Sequence, residues 1–278
     1  MPRAQGGHSV PQALTSASVE EHARALNSHD IPIAGVQGPG RWLVAQYLPA
    51  ALFSLKMSQA TSSVGKTLLL PSMYAVKMAL VDAGFRAGLT DEDCASLLRV
   101  LVPVDLRIAP PARAVVTHTF VKIRQEPKRP DPLKPYGSSI AYREIVHHWG
   151  EWRWAFDLAA GDERLAGWLV TLIPHVNFIG KRGSFIQFSG ISRQRELSIE
   201  FTQPGAVRGF VLPSLWHIAV LDDFGPEASL DILSSYSSAK PKRDKHRTFV
   251  QTVVPLGLVN TGPGFSEYAR DVQTEHAP

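Results

Sequence analysis

The chain has 278 residues, 44% of them apolar, and a single cysteine, Cys94. That length fills one large core or two modest ones, and one cysteine excludes both a disulfide-stapled scaffold and a cysteine zinc cage. No apolar run reaches the ~18 residues of a membrane helix, and the N-terminus lacks a charged start followed by an apolar middle, so a soluble, cytoplasmic protein without membrane partners is expected.

The net charge is +4, and the cluster Lys240, Lys242, Arg243, Lys245 and Arg247 against Asp244 carries the equivalent of all of it. A second stretch, free of acids, holds Lys181, Arg182, Arg193 and Arg195. A third holds Lys122, Arg124, Lys128, Arg129 and Lys134 beside only Glu126 and Asp131. One such run is commonly a solvated face, but three on a balanced background mark a polyanion track.

Residues 1–40 mix Gly, Pro, Ser and Ala, with one helix-compatible piece at 19–26, and read as an extension or linker. From Arg41 an apolar, aromatic-bearing run to Lys56 predicts a first buried strand with an irregularity at Pro49. Residues 71–84 predict a helix opening at Pro71 and stopping at Gly84, with Met73, Val76, Leu80 and Ala83 inward and Lys77 on another side. Thr90 and Asp93 form a near capping box for a second helix, followed by a strand at 101–108. Two β stretches, 114–124 and 140–158, flank a proline-rich, charged segment and predict a projecting hairpin. A helix at 162–172, strands at 183–191 and 196–201, and later strands at 216–221 and 248–254 complete the pattern. The order strand, helix, strand, hairpin, helix, strand matches a ferredoxin-like (RRM-like) α+β unit over 41–202, with the hairpin at about 114–158 and a β-rich part from 203 to 278.

Ala60-Thr-Ser-Ser-Val-Gly-Lys-Thr67 nearly matches a phosphate-binding P-loop, but Ala60 stands where Gly is required and the helix begins too late for its amides to reach a phosphate at Lys66. A Ser, Thr and Lys loop able to contact RNA phosphates is the better reading, with Ser63, Lys66 and Thr67 as its donors. His147 and His148 are adjacent, so on a strand they face opposite ways. Tyr142, Arg143, His147 and Lys122 contain the residue types of metal-independent RNA cleavage, with ordinary hairpin packing as the simpler account. No pattern suggests a metal nuclease, a nucleophile elbow or a bound cofactor.

Asn177-Phe-Ile-Gly-Lys-Arg-Gly-Ser-Phe-Ile-Gln-Phe188 differs in kind: two glycines bracket two cations and aromatics follow. Glycine lets backbone amides approach an anion, Lys181 and Arg182 neutralise it, and the aromatics offer stacking faces.

Together with residues 68–80 (Leu-Leu-Leu-Pro-Ser-Met-Tyr-Ala-Val-Lys-Met-Ala-Leu) and Ala141-Tyr-Arg-Glu144, residues 177–185 resemble the Cas five family, a repeat-associated (RAMP) subunit of class 1 CRISPR effectors. The resemblance runs loosely from about Arg41 to about Pro255. It implies an RRM-like domain with a hairpin thumb that caps the 5′ handle of the CRISPR RNA in a Cascade-type ribonucleoprotein of antiviral defence. The implied partners are that RNA, the backbone and large subunits, and target DNA indirectly. On this reading Lys181, Arg182, Gly183 and Ser184 lie on the handle, Lys66 and Thr67 nearby, and residues 122–129 on the thumb. Lys77, Tyr142, Arg143, Arg193, Lys242, Arg243 and Lys245 complete the expected RNA-binding set. The residues before Arg41 and the basic loop 240–247 have no counterpart in the family. Non-catalytic RNA binding is expected; precursor CRISPR RNA cleavage, as in one branch of the family, and RRM-like RNA binding outside CRISPR are the alternatives.

Overall fold

The computed structural model describes residues 40–58, 66–125, 133, 136–158, 163–181, 183–205, 216–234 and 237–270. The N-terminal segment, Ser63, Arg182, Lys128, Arg129, Lys134 and most of the P-loop-like stretch lie outside these residues.

Strand β1, Trp42–Pro49, is apolar on both faces because it is central in its sheet, and it ends where Pro49 removes a donor. Helix α1, Met73–Arg86, opens at Ser72, whose side chain accepts from the Ala75 amide. It runs through Gly84 instead of stopping there. A Cβ on Gly84 would sit 3.0 Å from Leu89 and 3.4 Å from the Cys94 sulfur, so this glycine serves close packing against helix α2, Asp91–Leu101. The Thr90–Asp93 capping box is fully formed at the start of α2. Burial, reinforced by Asp93 and Asp91, pushes the Cys94 thiol up to about 12.

Strand β2 is shorter than expected, Leu106–Ala109, because α2 extends to Leu101. Pro110 and Pro111 then carry the chain out of the first sheet into strand β3, Arg113–Gln125, which pairs along its full length with β4, Gly137–Trp149. The stretch read as one strand over 140–158 is two. Gly150, at φ 104°, turns the chain back into the first sheet, where β5 spans Trp152–Asp157. Helix α3, Glu163–Leu172, and a 3-10 turn at Ile173–His175 lead to β6, Ile186–Gln194. The first sheet has the order β2-β5-β1-β6, with its pairings antiparallel, which is the ferredoxin-like arrangement.

The second sheet joins the hairpin to the C-terminal part. Strands β7 (Gln203–Pro204), β8 (Trp216–Phe224), β9 (Arg247–Gly262) and β10 (Phe265–Ala269) follow, with one helical turn, α4, at Leu230–Leu233. The order is β4-β3-β10-β9-β7, with β8 also on β9. Residues 196–201 are not a strand. β9 runs well past Val254 because Pro255 falls at a bulge, where the β8 ladder skips from Val254 to Gly257 and no donor is required.

One core serves both sheets: Tyr47, Trp154 and Phe156 of the first and Val146, Leu221 and Val254 of the second belong to the same buried cluster around α1 and α3. Lys77 was expected away from the core and on RNA. It is instead fully buried in α1, its ammonium 2.9 Å from Asp223 on β8, so it ties helix to second sheet and cannot reach a ligand. Burial lowers the Lys77 pKa and raises that of Asp223, the costs expected of a desolvated pair. Glu200, bonded to Arg153 and Arg270, makes a second tie between the sheets.

On the opposite face of the first sheet, Trp42, Val44 and Ala155 are covered by Phe201 and Leu197. An RRM stacks bases on that open face. Here Phe201 plugs it.

His148 pins the base of the hairpin to the core, its Nε2 donating to the Leu69 carbonyl at 2.7 Å, while the other ring nitrogen is buried without a partner among the described residues. Burial depresses its pKa to about 4, so the folded state resists a proton that the unfolded chain accepts near 6.5. The associated stability is complete above pH ~6.5 and is lost as pH falls toward 4, by roughly 3 kcal/mol at most. Denaturant titrations at pH 7 and pH 4.5 should show this loss in the native chain and a much smaller one in His148→Gln. Identical pH dependence in both would contradict it.

Candidate nucleic-acid interface

The basic glycine turn is a closed loop. Phe178 bridges Phe185, the Ile186 amide donates to Asn177, and the Ile179 amide donates to Ser184. The Ser184 amide donates to the Lys181 carbonyl at 3.1 Å, which brings Ser184 back onto Lys181. Gly180 and Gly183 have φ of 70° and 111°. A Cβ on Gly180 would sit 3.0 Å from Leu55, so that position also needs glycine for close approach. The expectation for Ser184 is corrected: it is 5% exposed and its amide is engaged within the turn, so it shapes the loop instead of offering a phosphate contact. Lys181 and Gly183 are exposed at its tip.

This turn docks on the segment after β1, where the Ala50 amide donates to the Phe185 carbonyl. The same segment pairs with the outer edge of β4: Phe53 and Val146 exchange both backbone hydrogen bonds, and the Ser54 hydroxyl donates to the Glu144 carbonyl. Lys56 then bridges Thr67. Thr67, expected as an RNA donor, is instead 7% exposed. Its hydroxyl accepts from the Leu55 amide and its own amide donates to a Glu144 carboxylate oxygen at 2.9 Å. Lys66 beside it is exposed.

The junction gathers cations. Lys181 has its pKa lowered, chiefly by partial burial and then by the charges of Arg143 and Lys56. Arg143 was expected here; Lys56 was missed, because a lone lysine ending an apolar run gives no charge-cluster signal. Lys56 and Lys181 line a groove of about 410 Å³ together with Tyr74, Met78, Phe178 and Arg247. Two carboxylates also line it, Asp82 paired with Arg86 and Asp222 paired with Arg247, which leaves the apolar surface beside Lys56 and Lys181 to suit a nucleotide, base inward and phosphate outward.

Beyond the pairing of β3 with β10, the hairpin continues as a two-stranded ribbon. One face presents His118 opposite Glu144, Phe120 opposite Tyr142, Lys122 opposite Ile140, and Arg124 opposite Ser138. Phe120 is 73% and Ile140 76% exposed, and the Phe120 and Tyr142 rings meet edge to face at 5.1 Å. Exposed aromatics interleaved with Lys122 and Arg124 form a stacking surface with phosphate-neutralising charges. His147 lies on the opposite face, stacked at 4.1 Å on the half-exposed Trp149, so it does not join Tyr142. The histidine beside Tyr142 is His118, 5.3 Å ring to ring, with Nε2 3.2 Å from the Glu144 carboxylate. Sequence spacing did not reveal it, since 118 and 144 are brought together only by strand register.

Two groups of expected residues stand apart from the junction. Arg193 is half-buried on β6 in register with Leu43, about 20 Å along the strand from the turn. Lys242, Arg243 and Lys245 are exposed in a turn before β9. Among the described residues no His, Cys, Asp and Glu cluster is arranged for a metal, and no helix is long and apolar enough to cross a membrane.

Fold and site together define an α+β protein with a ferredoxin-like sheet, a projecting hairpin and a basic, aromatic junction at the hairpin's root. No family model matches the sequence, and no curated protein matches it. A crystal structure of a CRISPR protein from Archaeoglobus fulgidus is similar at 11% sequence identity and a TM-score of 0.43, over 82% of this chain and 91% of that one.

Glu144 holds this junction, so Glu144→Ala should cost about 2–3 kcal/mol by leaving the buried Thr67 amide unpaired, and Glu144→Gln should recover part of it. Chemical denaturation measures the cost and amide exchange at Thr67 reports its site. A loss below ~0.5 kcal/mol for the alanine variant, with unchanged exchange, would remove Glu144 from this role.

Proposed function

We propose that the chain is a non-catalytic RNA-binding subunit of a CRISPR surveillance complex that holds the 5′ handle of the guide RNA at the hairpin root. The observation that carries this reading is the gathering of Lys56 and Lys181 on a nucleotide-sized groove, with Arg143 close enough to Lys181 to lower its pKa, at the root of a hairpin whose other face carries Phe120 and Tyr142. The covered sheet face supports it from the other side, because the usual RRM platform is closed by Phe201. The CRISPR assignment itself rests on the resemblance of residues 68–80, 141–144 and 177–185 to the Cas five family. Two of those three motifs have physical work at the junction: Glu144 secures the loop and the 177–185 turn carries Lys181. The third sets α1, with the Ser72 cap and the buried Lys77. Neighbouring Cascade subunits would meet the remaining surface of the body.

Each phosphate contact contributes about 0.7 to the slope of log affinity against log salt for single-stranded nucleic acid. The double variant Lys181→Ala/Arg143→Ala should therefore weaken binding of a handle-bearing RNA and flatten that slope by about 1.4. Unchanged affinity and slope would reject the assignment.

One observation favours a second reading as a metal-independent ribonuclease: a carboxylate orients His118 beside Tyr142, an arrangement competent for general base work. Incubating the purified chain with repeat RNA and a chelator separates the two. Intact RNA is expected; site-specific cleavage abolished by His118→Ala would replace the first reading by the second.

A further inference from the structure

The basic loop before β9 is not a loose charged segment. The His246 amide donates to Lys242, the Asp244 amide donates to Arg247, and the Lys242 amide donates to the His246 ring at 2.9 Å. Asp244 takes the left-handed φ of 63° that closes the turn. The loop at 225–227 grips it from outside: the Gly225 and Glu227 amides donate to the His246 and Lys245 carbonyls. A Cβ on Gly225 would sit 2.3 Å from the Lys245 carbonyl oxygen, so backbone is pressed on backbone. The result is a rigid basic knuckle.

Its charges divide in two. Lys245 pairs with Glu227, and Arg247 pairs with the buried Asp222 while lying 4.4 Å over the Tyr74 ring. These two fasten the knuckle to the body. Lys240 and Lys242 are exposed and have no ion-pair partner among the described residues. Arg243 rests over the Phe249 ring and only loosely meets Asp244, at 3.7 Å. Three cations are thus held outward on a fixed backbone, which reduces the ordering cost of binding a polyanion.

The knuckle is also joined to the groove. Arg247, its last residue, lines the groove that Lys56 and Lys181 border, and its guanidinium reaches the Ser58 hydroxyl at 3.0 Å. The groove is thus lined by Lys56, Lys181 and the Asp222-paired Arg247, and the chain runs from Arg247 directly into the knuckle.

Resting on the RNA-binding reading above, we propose that the knuckle is a second anchor for the same single-stranded RNA, whose phosphate backbone leaves the Lys181 turn, crosses the groove and is held by Lys240, Lys242 and Arg243. The knuckle selects for length, since Lys240, Lys242 and Arg243 are not among the residues that line the groove and only a strand that runs on past it reaches them. It reads no base: these side chains offer charge to phosphates.

The test compares the full-length native chain with Lys240→Ala/Lys242→Ala/Arg243→Ala and with Lys181→Ala, on single-stranded RNAs of about 4 and about 16 nucleotides and on duplex DNA. The triple variant should bind the short RNA within twofold of the native chain. On the long RNA its salt slope should flatten by about 2, three contacts at about 0.7 each. Lys181→Ala should weaken both lengths. If Lys181→Ala weakens binding but the triple variant leaves the long-RNA slope unchanged, the knuckle proposal falls and the junction assignment stands. If neither variant changes RNA binding, both fall. A triple-variant defect confined to duplex DNA also overturns the proposal, since the anchored strand would then be a different one.

Discussion

A single buried carboxylate organises the part of this molecule that carries the proposed function. Glu144 sits near the root of the hairpin, 9% exposed, and is satisfied from three sides: the Thr67 amide and His118 on its carboxylate, and the Ser54 hydroxyl on its carbonyl. Through these bonds the segment after β1, the segment around Thr67 before α1 and both arms of the hairpin are fixed relative to one another. A buried charge of this kind is tolerated only when its lone pairs are engaged. The geometry of the junction, including the closeness of Lys56, Arg143 and Lys181, follows from that requirement.

The second constraint is closure of the first sheet. Phe201 and Leu197 cover Trp42 and Val44, which removes the surface an RRM uses for base stacking. Exposed aromatics are found elsewhere, with Phe120, packed on the half-buried Tyr142, on the hairpin and Phe185 on the turn. Fold-level analogy alone points to a face that Phe201 and Leu197 close here. The cations are on the hairpin side too, and they are held by backbone already fixed by packing, so position and charge agree.

Much of this was legible in the sequence where local signals were strong. The ferredoxin-like order, the capping box at Thr90, the opposed faces of His147 and His148, and the turn around Lys181 all follow from short-range rules of period, capping and glycine placement. What was not legible depends on partners distant in sequence. Lys77 looks like a surface lysine until β8 supplies Asp223 146 residues later. Thr67 looks like a free hydroxyl until the Leu55 amide donates to it and Glu144, 77 residues on, takes its amide. Gly84 mimics a helix stop, because close packing against Cys94 calls for the same residue as termination. β9 was truncated at Pro255 because a tolerated bulge and a strand end look alike in one dimension.

The central claim is that RNA is held at the hairpin root and not on the first sheet. Photocrosslinking of the full-length chain to a handle-bearing RNA, with peptide mapping of the adducts, tests it most directly. Adducts are predicted on the aromatic residues Phe120, Tyr142, Phe178 and Phe185 and on their immediate neighbours. Adducts on Trp42, Phe201 or the far end of β6, with none at the hairpin root, would contradict the account.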